Sequence, residues 1–151
     1  MDILFSKEKG TIFWAIALVF ILAYPMLISI YVFLPLFIGF VSYIFILGLE
    51  KEKTSLVILS VIYMLNLEVN LSLPIFLNII SALLFYLIVY PYLQYFRRCF
   101  FCRPLLSVIS LDLMYLGTLF FYDFVLQTQS IYLDKILLYS LIVDMIMVLM
   151  L

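Results

Sequence analysis

From Thr11 to Leu49 the chain carries no charged side chain, and nearly every residue in that run is apolar. As a single helix the run would be roughly 58 Å long, close to twice the hydrocarbon thickness of a bilayer. It must therefore reverse once. Pro25 and Pro35 bracket the expected reversal, because proline breaks helices or opens them. This places a first span near residues 11–28 and a second near 33–49.

The rest of the chain has the same character. Hydrophobic residues make up 69% of the sequence and charged residues 11%, whereas soluble domains are about half apolar and about a quarter charged. A water-soluble fold of this size cannot hide so much apolar surface, so lipid is the expected solvent. The apolar run that follows the charged start is longer than the core of a cleaved signal peptide, and we read it as an uncleaved span. A net charge of -1 argues against a nucleic-acid partner. The absence of histidine removes the commonest general base and metal ligand.

Glu50-Lys51-Glu52-Lys53 ends the charge-free run. A short third span is expected at 54–67, a fourth at 74–93 opening on Pro74, a fifth at 104–122 and a sixth at 131–151. With the N-terminus in the cytoplasm, Lys7, Lys9, Lys51, Lys53, Arg97, Arg98 and Arg103 all fall inside, and of the 8 basic residues only Lys135 falls outside. A five-span arrangement without the third span would export the arginines. The expected fold is thus an all-α membrane protein, a single integral domain over 1–151 with about six transmembrane helices and both termini cytoplasmic. No linker, low-complexity stretch or clear internal repeat divides it.

Charges deep inside spans are the sharpest functional signal, each costing about 2.5–3.5 kcal/mol at the bilayer centre on insertion scales. Asp112 and Asp144 qualify. Counted from the span ends, both lie roughly 10–12 Å from the cytoplasmic edge, on antiparallel neighbours, so the two can meet. No Lys or Arg lies at that depth, so each is expected to keep its proton and to bond a neighbour. Tyr115 and Ser140 share their helix faces. A polar clamp between helices and a proton or ion relay are both compatible with this pattern. An intramembrane aspartyl protease would need a Gly-x-Gly-Asp run, which neither site has.

Cys99-Phe100-Phe101-Cys102 has redox or zinc spacing, but no histidine or further cysteine completes a metal site. Reduced cytoplasmic thiols are expected. Arg97, Arg98 and Arg103 read as a cytoplasmic basic anchor, with anionic lipid headgroups or an acidic patch of a partner as alternatives. Tyr90, Tyr92, Tyr95 and Phe96 fit an interfacial aromatic belt. Glu68, within Asn66-Leu67-Glu68-Val69-Asn70, is expected in a wet outer turn. No catalytic set, cofactor motif or metal site emerges, and the chain is read as a non-enzyme.

In its middle the layout resembles the bacterial rod shape-determining protein MreD family. Pro35-Leu36 opens the second span and Tyr43 follows within it; the charged turn Glu50–Lys53 precedes a short third span; the fourth closes on Tyr95-Phe96-Arg97-Arg98. The similarity covers roughly residues 33–125 and lies in pattern more than identity. Where many members have a glycine-rich third span ending in aspartate, this chain has Ser60-Val61-Ile62-Tyr63-Met64-Leu65-Asn66. The resemblance implies a non-enzymatic scaffold of the bacterial inner membrane, acting in cell-wall elongation with MreC-like proteins, cell-wall synthases and, indirectly, the actin-like MreB. The alternative class is a small membrane transporter or transporter subunit with a proton or ligand site at Asp112 and Asp144.

Overall fold

The computed structural model describes residues 10–31, 34–96, 102–127 and 134–150. All regular structure among them is helical: α1 (Gly10–Ile30), α2 (Ile38–Glu50), α3 (Thr54–Asn70), α4 (Leu77–Ile88), α5 (Tyr90–Leu93) with a 3-10 turn at Gln94–Phe96, α6 (Cys102–Leu126) and α7 (Asp134–Met150). α6 is the one described helix long and apolar enough to cross a membrane unaided, and Trp14–Ile30, α2, α3, α4 and Leu138–Met150 are shorter apolar helices. α6 lies centrally, touching α2, α4, α5 and α7, while α2 also packs on α3, α4 and α7, and α1 lies along α3. Large apolar side chains cover the outside, among them Val19, Ile30, Leu87, Phe121, Phe124 and Leu138.

α1 ends at Ile30 and α2 begins at Ile38, so the break overlaps the stretch that Pro25 and Pro35 bracket, but neither proline sits at a helix end. Pro25 lies inside α1, which continues to Ile30. A proline has no N–H to offer the carbonyl one turn earlier, here that of Ile21. Asn66 on α3 supplies the missing donor: its Nδ2 donates to the Ile21 carbonyl at 3.3 Å and to the Leu22 carbonyl at 3.0 Å. Asn70 in turn donates to Asn66 Oδ1 at 2.7 Å and fixes that amide. Asn66 is thus the fastener between α1 and α3 at the proline.

Pro35 and Pro74 do not open helices either. Each stands in a short non-helical stretch, and the helix begins three residues later, at Ile38 and Leu77. The two stretches read alike, Leu34-Pro35-Leu36-Phe37 and Leu73-Pro74-Ile75-Phe76. In both, the phenylalanine before the helix adopts the left-handed conformation, with φ 51° at Phe37 and 70° at Phe76. An L-residue with a bulky side chain holds that conformation at a cost of about 1–2 kcal/mol. Around Phe37 the Tyr24 ring, 5.2 Å away, and the Phe40 ring, 6.3 Å away, pack against the aromatic side chain. Helix, Pro-containing break, left-handed Phe and short helix therefore occur twice, as α1–α2 and α3–α4. The shared elements are conformational, and few identities mark them in the sequence.

Two apolar clusters fill the interior. One surrounds the first break, with Tyr24, Ile28, Leu36, Ile38, Tyr63, Leu67, Tyr115 and Leu119. The other packs the far half of α2 against α3, α4 and α6, through Phe45, Ile46, Met64, Ala82, Phe85 and Leu111.

The α1–α3 fastener makes a testable coupling. Asn66→Leu should cost about 1 kcal/mol, the usual scale of a polar contact within an apolar bundle. In a Pro25→Ala background the Ile21 carbonyl regains its helical donor, and the same Asn66→Leu change should cost half as much or less. Denaturant titration of the four purified proteins in detergent measures the coupling; equal costs in both backgrounds would exclude this role for Asn66.

Candidate functional site

A helix start exposes backbone N–H groups that have no partner within the helix. Usually the residue before the helix caps them with its own side-chain oxygen. Phe37 and Phe76 have none, and neither α2 nor α4 has a side-chain cap of that local kind. In apolar surroundings the acceptors must then come from other helices.

At α2 they come from the two aspartates. The Gly39 N–H donates to Asp144 Oδ2 at 2.9 Å, and the Phe40 N–H also faces that carboxyl. Asp112 approaches the same Gly39: a Cβ on Gly39 would lie 2.6–2.8 Å from the carboxyl atoms of Asp112. Only glycine leaves room for this approach. The aspartates are 0% (Asp144) and 7% (Asp112) exposed and interact electrostatically. Each has one oxygen without a hydrogen-bond partner in the protein, Asp144 Oδ1 and Asp112 Oδ2.

Side chains from three further positions complete the first break. The Leu36 N–H donates to Ser140 Oγ at 3.1 Å, Tyr63 donates its hydroxyl to the Leu36 carbonyl at 2.8 Å, and Tyr24 donates to the Pro35 carbonyl at 2.9 Å. Backbone buried without water must find such partners. The stretch 34–37 is accordingly tied down from α1, α3 and α7.

The second break is capped more simply. Glu68 accepts the Phe76 N–H at 2.8 Å on Oε2 and the Asn78 N–H at 2.6 Å on Oε1. This corrects the wet outer turn expected for Glu68, which is 0% exposed and sits in the last turn of α3. Its carboxyl is buried because α4 begins directly against it. Ser42 of α2 donates to Asn78 Oδ1 at 3.2 Å, joining the two capped helices.

The structure thus brings Asp112, Asp144 and Ser140 together at one helix start, as their matched depth suggested, but not with the partners expected. Ser140 bonds the backbone of Leu36 instead of Asp144, and the Tyr115 hydroxyl, though buried, has no hydrogen-bond partner in the protein. Sequence reasoning missed Gly39, Asn78, Tyr24 and Tyr63. The available signal was the pair of Leu-Pro-x-Phe runs, whose breaks need donors and acceptors from elsewhere.

At the opposite end of α2, Arg103 Nη2 donates to Glu50 Oε1 at 3.1 Å and to the Tyr90 hydroxyl at 2.6 Å. This partly exposed pair ties the end of α2 to α5 and α6, and contributes at most about 1 kcal/mol. Arg97, Arg98 and Cys99 lie outside the described residues. Tyr90 is buried against the protein, while Tyr92 and Tyr95 are exposed. Cys102, where α6 begins, is disulfide-bonded, which differs from the reduced thiol expected there. Among the described residues no group of three or more acidic or cysteine side chains is placed to hold a metal ion.

Two substitutions test the caps. Gly39→Ala should push Asp112 away and lower stability by about 1–3 kcal/mol, as overpacking does. Gly117→Ala, where an added Cβ meets nothing within 4 Å, serves as the neutral control. Glu68→Gln leaves one carbonyl oxygen for two N–H groups and should cost about 1–3 kcal/mol. Thermal melting in detergent reads all three. A Gly39→Ala protein that melts with the Gly117→Ala control would refute the tight seat of Asp112.

In comparisons with protein-family models, with curated proteins and with solved structures, nothing matches this chain, so its function is argued from the geometry above.

Proposed function

We propose that the chain is a six-span protein of the bacterial inner membrane, with both termini cytoplasmic, that works as a non-enzymatic scaffold. On this reading it binds partner membrane proteins through its helix faces within the cell-wall elongation machinery, as the resemblance to the MreD family implies. The partners are then MreC-like proteins and cell-wall synthases, with an actin-like filament reached indirectly. The observation that carries the reading is the use made of the buried polar groups. Asp144, Ser140, Tyr63, Tyr24 and Glu68 all hydrogen-bond the backbone of the two breaks. They hold a frame, and what remains on the outside is broad apolar helix surface.

The short helices are compatible with six crossings. The 13 residues of α2 make about 20 Å of helix, and the non-helical stretch 34–37, held from α1, α3 and α7, lengthens the segment before it. The split of basic residues supports the orientation.

The transporter reading keeps one specific observation in its favour. Asn78 Nδ2, Asp112 Oδ2, Tyr115 OH and Asp144 Oδ1 are buried polar atoms without partners in the protein, as a small-ligand or ion site would need.

Substitution separates the two. Asparagine keeps an oxygen to accept the Gly39 N–H but cannot ionise; leucine can do neither. Asp112→Asn and Asp144→Asn should each preserve complementation of a deletion strain, and Leu at either site should weaken packing or partner binding. Copurification from mild detergent should recover membrane partners of the elongation machinery with wild type and both Asn variants. If both Asn variants reach normal membrane levels yet fail to complement, the scaffold gives way to a proton-coupled transporter. Cysteine-scanning labels should reach 69–72 and 126–130 from outside and leave 51–53 protected; the reverse pattern would overturn the orientation.

A further inference from the structure

We propose that Asp112 and Asp144 bind one exchangeable proton between them, at the two carboxyl oxygens that lack a partner, making the start of α2 a proton-binding site. Ionised carboxylates only accept. Asp144 Oδ2 takes the Gly39 N–H, Asp112 is seated on the same glycine, and Asp112 Oδ2 and Asp144 Oδ1 are left without donors. A single proton changes this. Carried on either of those oxygens, it becomes a donor and the other carboxylate becomes its acceptor, so two unpaired acceptors become one hydrogen-bonded pair.

Charge leads to the same count. A helix N-terminus presents roughly half a positive charge, which favours one carboxylate but cannot offset two. The basic residues of the described part, Lys51, Lys53, Arg103 and Lys135, lie at or between helix ends, and Arg103 is held by Glu50 and Tyr90. Tyr24 on α1 and Tyr63 on α3 interact electrostatically with Asp144; Tyr115 lies three residues after Asp112 on α6, and Glu68 on α3 interacts with Tyr115. Tyr24 and Tyr63 donate to the Pro35 and Leu36 carbonyls, and Glu68 accepts two N–H groups at α4. None of these supplies a cation. Protonation leaves one net negative charge across the pair, facing the helix start.

The site thus joins two buried carboxyl groups at one glycine of the α2 start, with the Gly39 and Phe40 N–H groups facing Asp144. Its proton is the ligand, and the claim does not depend on the scaffold reading, because complementation can fail while the proton remains, and the reverse.

Infrared spectroscopy of the full-length protein in lipid nanodiscs tests it. At neutral pH, where ordinary aspartates with a pKa of about 3.9 are ionised, wild type should show a protonated-carboxyl C=O band worth one acid per chain. Asp112→Asn and Asp144→Asn should each abolish the band, since the Asn amide takes over as donor to the remaining carboxylate. Glu68→Gln should keep it. Absence of the band in wild type, its survival in either Asn variant, or its loss in Glu68→Gln would each overturn the proposal. Should an Asn variant fail to fold, wild type labelled with carboxyl-¹³C aspartate decides: the band must shift with the label, and an unshifted band refutes the assignment.

Discussion

A helix that begins inside an apolar interior has N–H groups that water cannot reach, and much of this structure follows from meeting that demand twice. Phe37 and Phe76 precede the helix starts, and phenylalanine brings no oxygen to cap them. Carboxyl groups are effective replacements for a local cap. They accept from two donors at once, as Glu68 does from Phe76 and Asn78, and their negative charge suits the positive end of the helix. The left-handed phenylalanines and the buried acids are thus two sides of one arrangement. The strain of the former persists because the latter hold the following helix in place.

The two units solve the problem at different range. Glu68 caps α4 from the helix immediately before it, within ten residues along the chain. α2 instead depends on Ser140 and Asp144 of α7, which lie 104 and 105 residues from their partners in sequence, and on Asp112 of α6. The α3–α4 unit carries its own cap; the α1–α2 unit is completed only by the last two helices. That difference makes α6 and α7 more than extra helices: they supply the acceptors for the N–H groups of Leu36 and Gly39. It also explains why Gly39 is small, since the carboxyl of Asp112 lies where any side chain would have to go.

Fastening at the other levels follows the same logic, with polar contacts placed at each interruption. Pro25 frees a carbonyl in α1, and Asn66 reaches it from α3. The charged end of α2 is tied to α5 and α6 by Glu50, Tyr90 and Arg103. Between these points the contacts are apolar and non-directional, so the polar contacts set the register of one helix against the next.

Much of this was legible in the sequence. The charge-free run demanded a reversal, the counted depths of Asp112 and Asp144 brought them to one level, and the composition made an all-α bundle the economical fold, because each depends only on spacing and on the aversion of charge to apolar surroundings. What the acids bind was not legible. A left-handed residue is ordinarily announced by glycine or asparagine, and here it is phenylalanine, so the breaks at 34–37 and 73–76 looked like helix openings at proline. Glu68 stood among asparagines at a span end and looked wet; whether it is wet depends on where α4 begins, which its own neighbours do not encode. Sequence alone determined that this chain would bury acids among apolar helices. Only the tertiary structure decided that they face backbone N–H groups, because those donors come into being when a distant helix starts late.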